Sequence, residues 1–167
     1  MIPYNIAGYD WVEIFHHNTS GGLFPTLEAA EGVNENDENE DIFSILDQIE
    51  NFRKINGLFH FRLCYPELDH RCNEWTQSSN PITDSEIQNF TAISNQFETN
   101  ARRSVPFQGL GLNTDHSNKT LLDTQPNSTA WWYAVGATMY SPYHPGKIPG
   151  PKNEFVTQVV LYVKKGK

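Results

Sequence analysis

No apolar run in these 167 residues approaches the ~20 that a membrane-spanning helix needs, which excludes a helical bilayer anchor within them. The first residues, Met-Ile-Pro-Tyr-Asn-Ile, lack a basic start and a long apolar stretch, so they do not read as a secretory leader. We read the chain as a mature sequence or excised module headed by an added Met. Basic charge is scarce: 12 Lys and Arg stand against 20 Asp and Glu, for a formal net charge of −8. A phosphate backbone would find no cationic footprint here, so a nucleic-acid partner is not expected. The short Lys164, Lys165, Lys167 tail reads as a solvated chain end. Catalytic signatures are missing as well. There is no G-x-S-x-G elbow, H-E-x-x-H helix, P-loop or G-x-G-x-x-G, and Gly109-Leu110-Gly111 lacks both the third glycine and a βαβ setting. Carboxylates abound, but a glycosidase pair is defined by a distance that sequence does not give. We therefore expect no enzyme and no cofactor.

Cysteine is scarce too, with only Cys64 and Cys72. An even pair is compatible with two free thiols or with one bridge. Four N-x-[ST] sequons, at Asn18, Asn89, Asn118 and Asn127, tip the balance toward a secreted, extracellular, N-glycosylated chain. In that setting the expectation is a Cys64–Cys72 disulfide.

What the chain does have is rings. Aromatic residues make up 13% of it, enough to build a core in an otherwise polar sequence. Alternation in Tyr9–Phe15 and in Leu58–Tyr65 predicts strands, with Phe59, Phe61, Leu63 and Tyr65 on one face and His60, Arg62 and Cys64 on the other. His16 through Gly22 reads as a loop, and Thr26 as the cap of a short helix stopped by Gly32. Ile42, Phe43, Ile45, Leu46, Ile49 and Phe52 follow helical spacing, which predicts an amphipathic helix over about 42–54 packed on the Phe59–Tyr65 face. Phe90–Ile93 and Leu110–Leu112 are short strand candidates. Trp75–Pro81 reads as polar coil, Ala130–Met139 as a buried strand bent at Gly136, and Tyr140–Lys152, with four prolines and two glycines, as a loop. Phe155–Val163 is the strongest strand, β-branched and aromatic throughout. The fold class that follows is mainly β, an antiparallel β-sandwich or jelly roll with one helix, forming a single extracellular domain over 1–167.

The stretches YDWVEIFHHN, FSILDQIENFRKINGLFHFRLCYPEL, EWTQSSNP, WWYAVGA and IPGP…VTQVVLYV, in that order, resemble a widespread, poorly characterised module of predicted extracellular animal proteins. The resemblance covers nearly the whole chain. It implies an extracellular setting and a complete domain, and it supplies no catalytic or binding residue.

Two features invite ligands. Trp75 stands among Thr76, Gln77, Ser78, Ser79 and Asn80, and Trp131-Trp132 would place one ring outward if in a strand. A ring beside amides is the usual chemistry of sugar binding, since a pyranose offers an apolar C–H face and a rim of hydroxyls. Trp75, Gln77, Asn80, Trp131 and Trp132 are accordingly the candidate ligand-binding residues. The alternative is that the rings are core and that Gln77 or Asn80 accepts a buried indole N–H. The second feature is the acidic run from Asn34 to Asp41, whose Asn36, Asp37, Asn39 and Asp41 carry the oxygen donors Ca²⁺ prefers. It lacks the EF-hand glycine and terminal Glu, so we expect a mobile loop, with Ca²⁺ possible and no dedicated metal site. His16-His17 reads as ordinary loop. The leading expectation is a non-catalytic lectin-like or adhesive module that recognises glycan or an extracellular protein. The alternative is a self-assembling structural protein of extracellular matrix or biomineral, with homo-oligomers built through strand edges. A glycan-active enzyme ranks third.

Overall fold

The alternating segments do become strands. In the computed structural model, which describes residues 10–95, 97, 106–114, 120–127, 132–151 and 154–166, eleven of them are antiparallel wherever they pair. They are β1 (Trp11–Asn18), β2 (Ile42–Ser44), β3 (Phe59–Tyr65), β4 (Arg71–Gln77), β5 (Thr91–Asn95), β6 (Gly111–Leu112), β7 (Thr120–Asp123), β8 (Val135–Ala137), β9 (Ile148–Pro149), β10 (Phe155–Val156) and β11 (Gln158–Lys164). Six form one sheet in the order β2-β1-β11-β3-β4-β5; β6-β7-β8 and β9-β10 form smaller ones. A single core joins Phe15, Phe59, Phe61, Leu63, Tyr65, Trp75, Leu161 and Val163 of the large sheet to Leu122, Val135 and Ala137 of the three-stranded one. This is the mainly β sandwich that the alternation implied.

The last strand lies at the centre. β11 pairs with β1 on one side and β3 on the other, and Val159 through Val163 are buried on both sheet faces. A strand covered on both sides reads as a continuous apolar run rather than an alternating one, which is why VVLYV stood out.

The helical expectation splits in two. Thr26 caps α1 (Leu27–Glu31), its Oγ1 accepting from Ala29 N at 3.0 Å, and the helix ends at Gly32. The segment over 42–54 is not an α-helix. Ile42–Ser44 pairs with β1, and Leu46–Phe52 is a 3-10 helix. Ser44 decides the break: its Oγ donates to Ala30 O at 2.6 Å and accepts from Leu46 N, which diverts the chain from helical bonding. The apolar stripe still does its work, because Leu46 and Ile49 are fully buried with the Phe59–Tyr65 face, and Ile45 and Phe52 pack against them.

Three further boundaries move. β1 continues through His16, His17 and Asn18, so the two histidines point to opposite faces and not into a loop. β4 and β7 were not anticipated, because their buried positions include Asn73, Gln77, Thr120 and Asp123.

Cys64 and Cys72 face each other across β3 and β4 with Cα atoms 4.1 Å apart, and they form the expected disulfide. Both are buried. Native protein should show no alkylatable thiol, and the Cys64→Ala/Cys72→Ala pair should lose about 2.5 kcal/mol in urea unfolding, the chain-entropy value for so short a loop. Two reactive thiols in native protein would contradict the bridge.

Two buried titrating groups set opposed pH dependences. Burial pushes the Asp123 carboxyl up to about 7, a rise the Gln125 and Thr124 amides only partly counter. Its Oδ1 accepts from Gln125 N at 2.7 Å, while Oδ2 has no partner among the described residues. The protonated form is thus favoured by folding: the stability is intact below the unfolded carboxylate pKa and is lost as pH rises through about 7. Burial holds His17 below its ordinary value, which the bond from Nε2 to Gly22 O only partly counters, and Nδ1 is buried with no partner among the described residues. Its penalty therefore grows as pH falls below about 6.5. Asp123→Asn keeps the Oδ1 acceptor and cannot ionise. Its stability relative to wild type should rise by about 3 kcal/mol between pH 4.5 and pH 7.5, read by urea unfolding at both values. A pH-independent difference would refute an ionising Asp123.

Candidate functional site

The motif picked out for ligand binding is interior. Trp75, Gln77 and Asn80 are 0%, 0% and 3% exposed, so these three are corrected from ligand contacts to core residues. The register puts Asn73, Trp75 and Gln77 on the inner face of β4, opposite Leu63, Phe61 and Phe59. Trp75 Nε1 donates to Gln77 Oε1 at 2.7 Å, the acceptor role foreseen as the alternative. Gln77 also acts as a piece of backbone: Oε1 accepts from Leu110 N at 3.1 Å, and Nε2 donates to Leu110 O and Ser79 O, each at 2.9 Å. Asn73 does the same for Phe97, donating to its O at 2.8 Å and accepting from its N at 2.7 Å. Two side-chain amides thereby clamp incoming chain onto β4. Gly109, at φ +91°, has to be glycine there, because a Cβ would sit 2.6 Å from Gln77 Oε1. Asn80 pins the 3-10 helix by donating to Glu50 Oε1 at 3.0 Å and closes its own turn by accepting from Ile82 N.

Trp132 is half-buried against Phe155, with ring centres 5.4 Å apart; Trp131 and Asn118 lie outside the described residues. Of the other sequons, Asn18 is half-buried and accepts from Ser20 N and Oγ, Asn89 is exposed and donates to Ser78 Oγ, and Asn127 is exposed and accepts from Thr114 Oγ1. The acidic loop is folded, not extended. Asn34, at φ +53°, supplies the turn for which a glycine was missing and donates to Ile42 O at 2.7 Å; Asp37 accepts from Asn39 N at 3.0 Å. Asn36, Asp37, Asn39 and Asp41 are exposed, and among the described residues no three His, Cys, Asp or Glu converge as a metal site.

The chemistry collects on the other face of the large sheet. Pairing aligns Glu13, Tyr162, Arg62, Glu74 and Ser94 in one row across β1, β11, β3, β4 and β5. Glu74 is its hub: Oε1 bonds His60 Nε2 at 2.7 Å, and Oε2 accepts from Arg62 Nε at 3.1 Å. Arg62 lies 4.4 Å from the Trp11 ring centre, Lys164 Nζ lies 5.8 Å from it, and the His60 ring meets Trp11 edge-on at 5.0 Å. Glu13 bonds His16 Nδ1 at 3.2 Å along the same face. His60 and Arg62 follow from the strand alternation, two apart and on one side. Trp11 and Glu74 join them only through register between strands distant in sequence, which no local pattern reveals.

This cluster is partly open, with the side chains of His60, Glu74 and Arg62 12%, 15% and 22% exposed. Burial, with Lys54 and Lys164 nearby, holds His60 below its ordinary pKa despite the Glu74 bond. At neutral pH it is therefore uncharged, with its proton on the nitrogen facing Glu74. That leaves a lone pair at Nδ1, and Arg62 keeps its Nη1 donors; neither has a partner among the described residues. One acceptor and a fork of donors are thus held beside an indole.

Compared with known proteins, the chain matches no family model, no curated protein and no solved structure.

Proposed function

We propose that the protein is a non-catalytic, extracellular recognition module of lectin-like type, and that Trp11, His60, Arg62 and Glu74 hold its ligand. The observation that carries this reading is the Glu74 bridge. A carboxylate that fixes both His60 and Arg62 leaves a lone acceptor and several donors in a set geometry beside a flat ring. Adjacent hydroxyls of a sugar each donate and accept, so a vicinal diol satisfies both groups while its C–H face lies against apolar surface. An anion fits less well, because Glu74 would oppose it. The setting also favours binding over catalysis: no hydroxyl or thiol nucleophile hydrogen-bonds His60 among the described residues. The buried disulfide and the sequons support an extracellular location, with glycans or glycoproteins as partners.

Glycan-array screening followed by calorimetric titration tests the reading. Arg62→Ala should weaken the best ligand at least tenfold, the worth of a hydrogen bond to a charged donor. Binding should also decline at acid pH, below the ordinary imidazole range because burial lowers the His60 pKa, where a protonated His60 turns its acceptor into a donor. Absence of any glycan ligand, or an unchanged Arg62→Ala affinity, would refute it.

A further inference from the structure

The loop between β8 and β9 carries a large ring in the open. Tyr143 is 86% exposed, yet the hairpin that presents it is tightly held. Ser141 N donates to Lys147 O, His144 N to Ser141 O and Lys147 N to His144 O, with Pro142 and Pro145 restricting the turn. The hairpin is also docked to the end of β1: Thr19 Oγ1 donates to Gly146 O at 3.0 Å, and Tyr140 Oη donates to Thr19 O at 3.3 Å. His144 stacks on Phe155 with ring centres 3.7 Å apart, and Phe155 in turn rests on Trp132. The tip is thus a braced pedestal.

We propose that this hairpin tip is a second saccharide site, in which the Tyr143 ring receives the C–H face of a sugar and its hydroxyl, with His144 and Lys147, meets the sugar hydroxyls. An exposed aromatic with two torsions on a pre-ordered loop binds without the entropy cost of ordering that loop. A protein partner suits the tip less well. Apart from Pro142 and Pro145, Tyr140 to Lys147 (YSPYHPGK) contains no aliphatic residue, so the ring lacks the broad apolar surround from which a dry interface core is made. A ring-sized amphipathic ligand needs no such surround. The site lies beyond the Asn18 end of β1, while Trp11 starts that strand, so eight steps of strand rise put the two sites roughly 25 Å apart. Two sugar sites so separated make the module bivalent, able to link glycan-bearing surfaces. The tip site stands on its own residues; the linking rests also on the sheet-face site.

The test uses the full, disulfide-bonded chain without N-glycans and beads bearing mannose, galactose, N-acetylglucosamine, fucose or sialic acid. Wild type should be retained on at least one bead type and should cross-link those beads. Tyr143→Ala and Arg62→Ala should each remain retained but lose cross-linking, and the double variant should not be retained. Circular dichroism melting confirms that both surface variants fold. If Tyr143→Ala cross-links like wild type, or if Arg62→Ala alone abolishes retention, the tip site is wrong and the sheet-face reading stands. If Arg62→Ala cross-links like wild type while Tyr143→Ala is not retained, the sheet-face reading fails and the tip remains. Wild type retained on no bead, or retained without cross-linking, overturns the bivalent proposal.

Discussion

Gln77→Ala is expected to cost at least about 4 kcal/mol and to leave little or no folded protein at 37 °C. The substitution strands the Trp75 indole N–H, the Leu110 N–H and the Leu110 and Ser79 carbonyls in a site with no solvent access. Each abandoned buried group costs about 1–3 kcal/mol, against a total stability of about 5–15 kcal/mol for a domain. Urea unfolding read by tryptophan fluorescence measures the loss directly. Ser78→Ala, one residue away and half-buried, should change stability by less than about 1 kcal/mol. A Gln77→Ala protein as stable as wild type would mean that the side-chain clamp on the Leu110 segment does not form.

Phe61→Ala should cost about 3–5 kcal/mol by the same measurement. Its ring is fully buried, 5.5 Å from Phe59 and 5.4 Å from Trp75, in the row where β11, β3 and β4 bring Val163, Phe61 and Trp75 side by side. Removing it empties the contact between the central strands and the residues stacked above them. A change under 1 kcal/mol would contradict the shared core of Leu46, Ile49 and the Phe59–Tyr65 face.

Those two residues mark how far the sequence could be read. Phe61 lies in a run whose every second residue is apolar, and such a run has only one way to bury its stripe. β3, β11 and the inward set Phe59, Phe61, Leu63 and Tyr65 were legible for that reason. Gln77 lies in a strand whose inward positions run Asn73, Trp75, Gln77. Hydrophobic periodicity misreads it as coil, because the amides are not solvated polar groups but substitutes for backbone partners. The same confusion made Trp75 look like an exposed ring among amides. Local chemistry was identical in the two readings, and only the long-range partner, Leu110, separates them. At 42–54 the stripe was real but the period was misassigned: Ile42 and Phe43 alternate across β2, and the remainder repeats in a 3-10 helix. The sheet-face cluster was half visible, in the outward pair His60 and Arg62. Its other half, Trp11 and Glu74, depends on the placement of β1 and β4 on either side of the β11–β3 pair.

The central claim is that ligand meets the outer face of the large sheet and not the EWTQSSNP segment. An amide and indole ¹⁵N correlation spectrum, titrated with the strongest array ligand, tests it most directly. The account predicts that the Trp11 indole and the Arg62 Nε–H resonances shift progressively and saturate together, while the Trp75 indole, locked to Gln77, stays in place. Shifts centred on Trp75 and Gln77 with a silent Trp11 would contradict it.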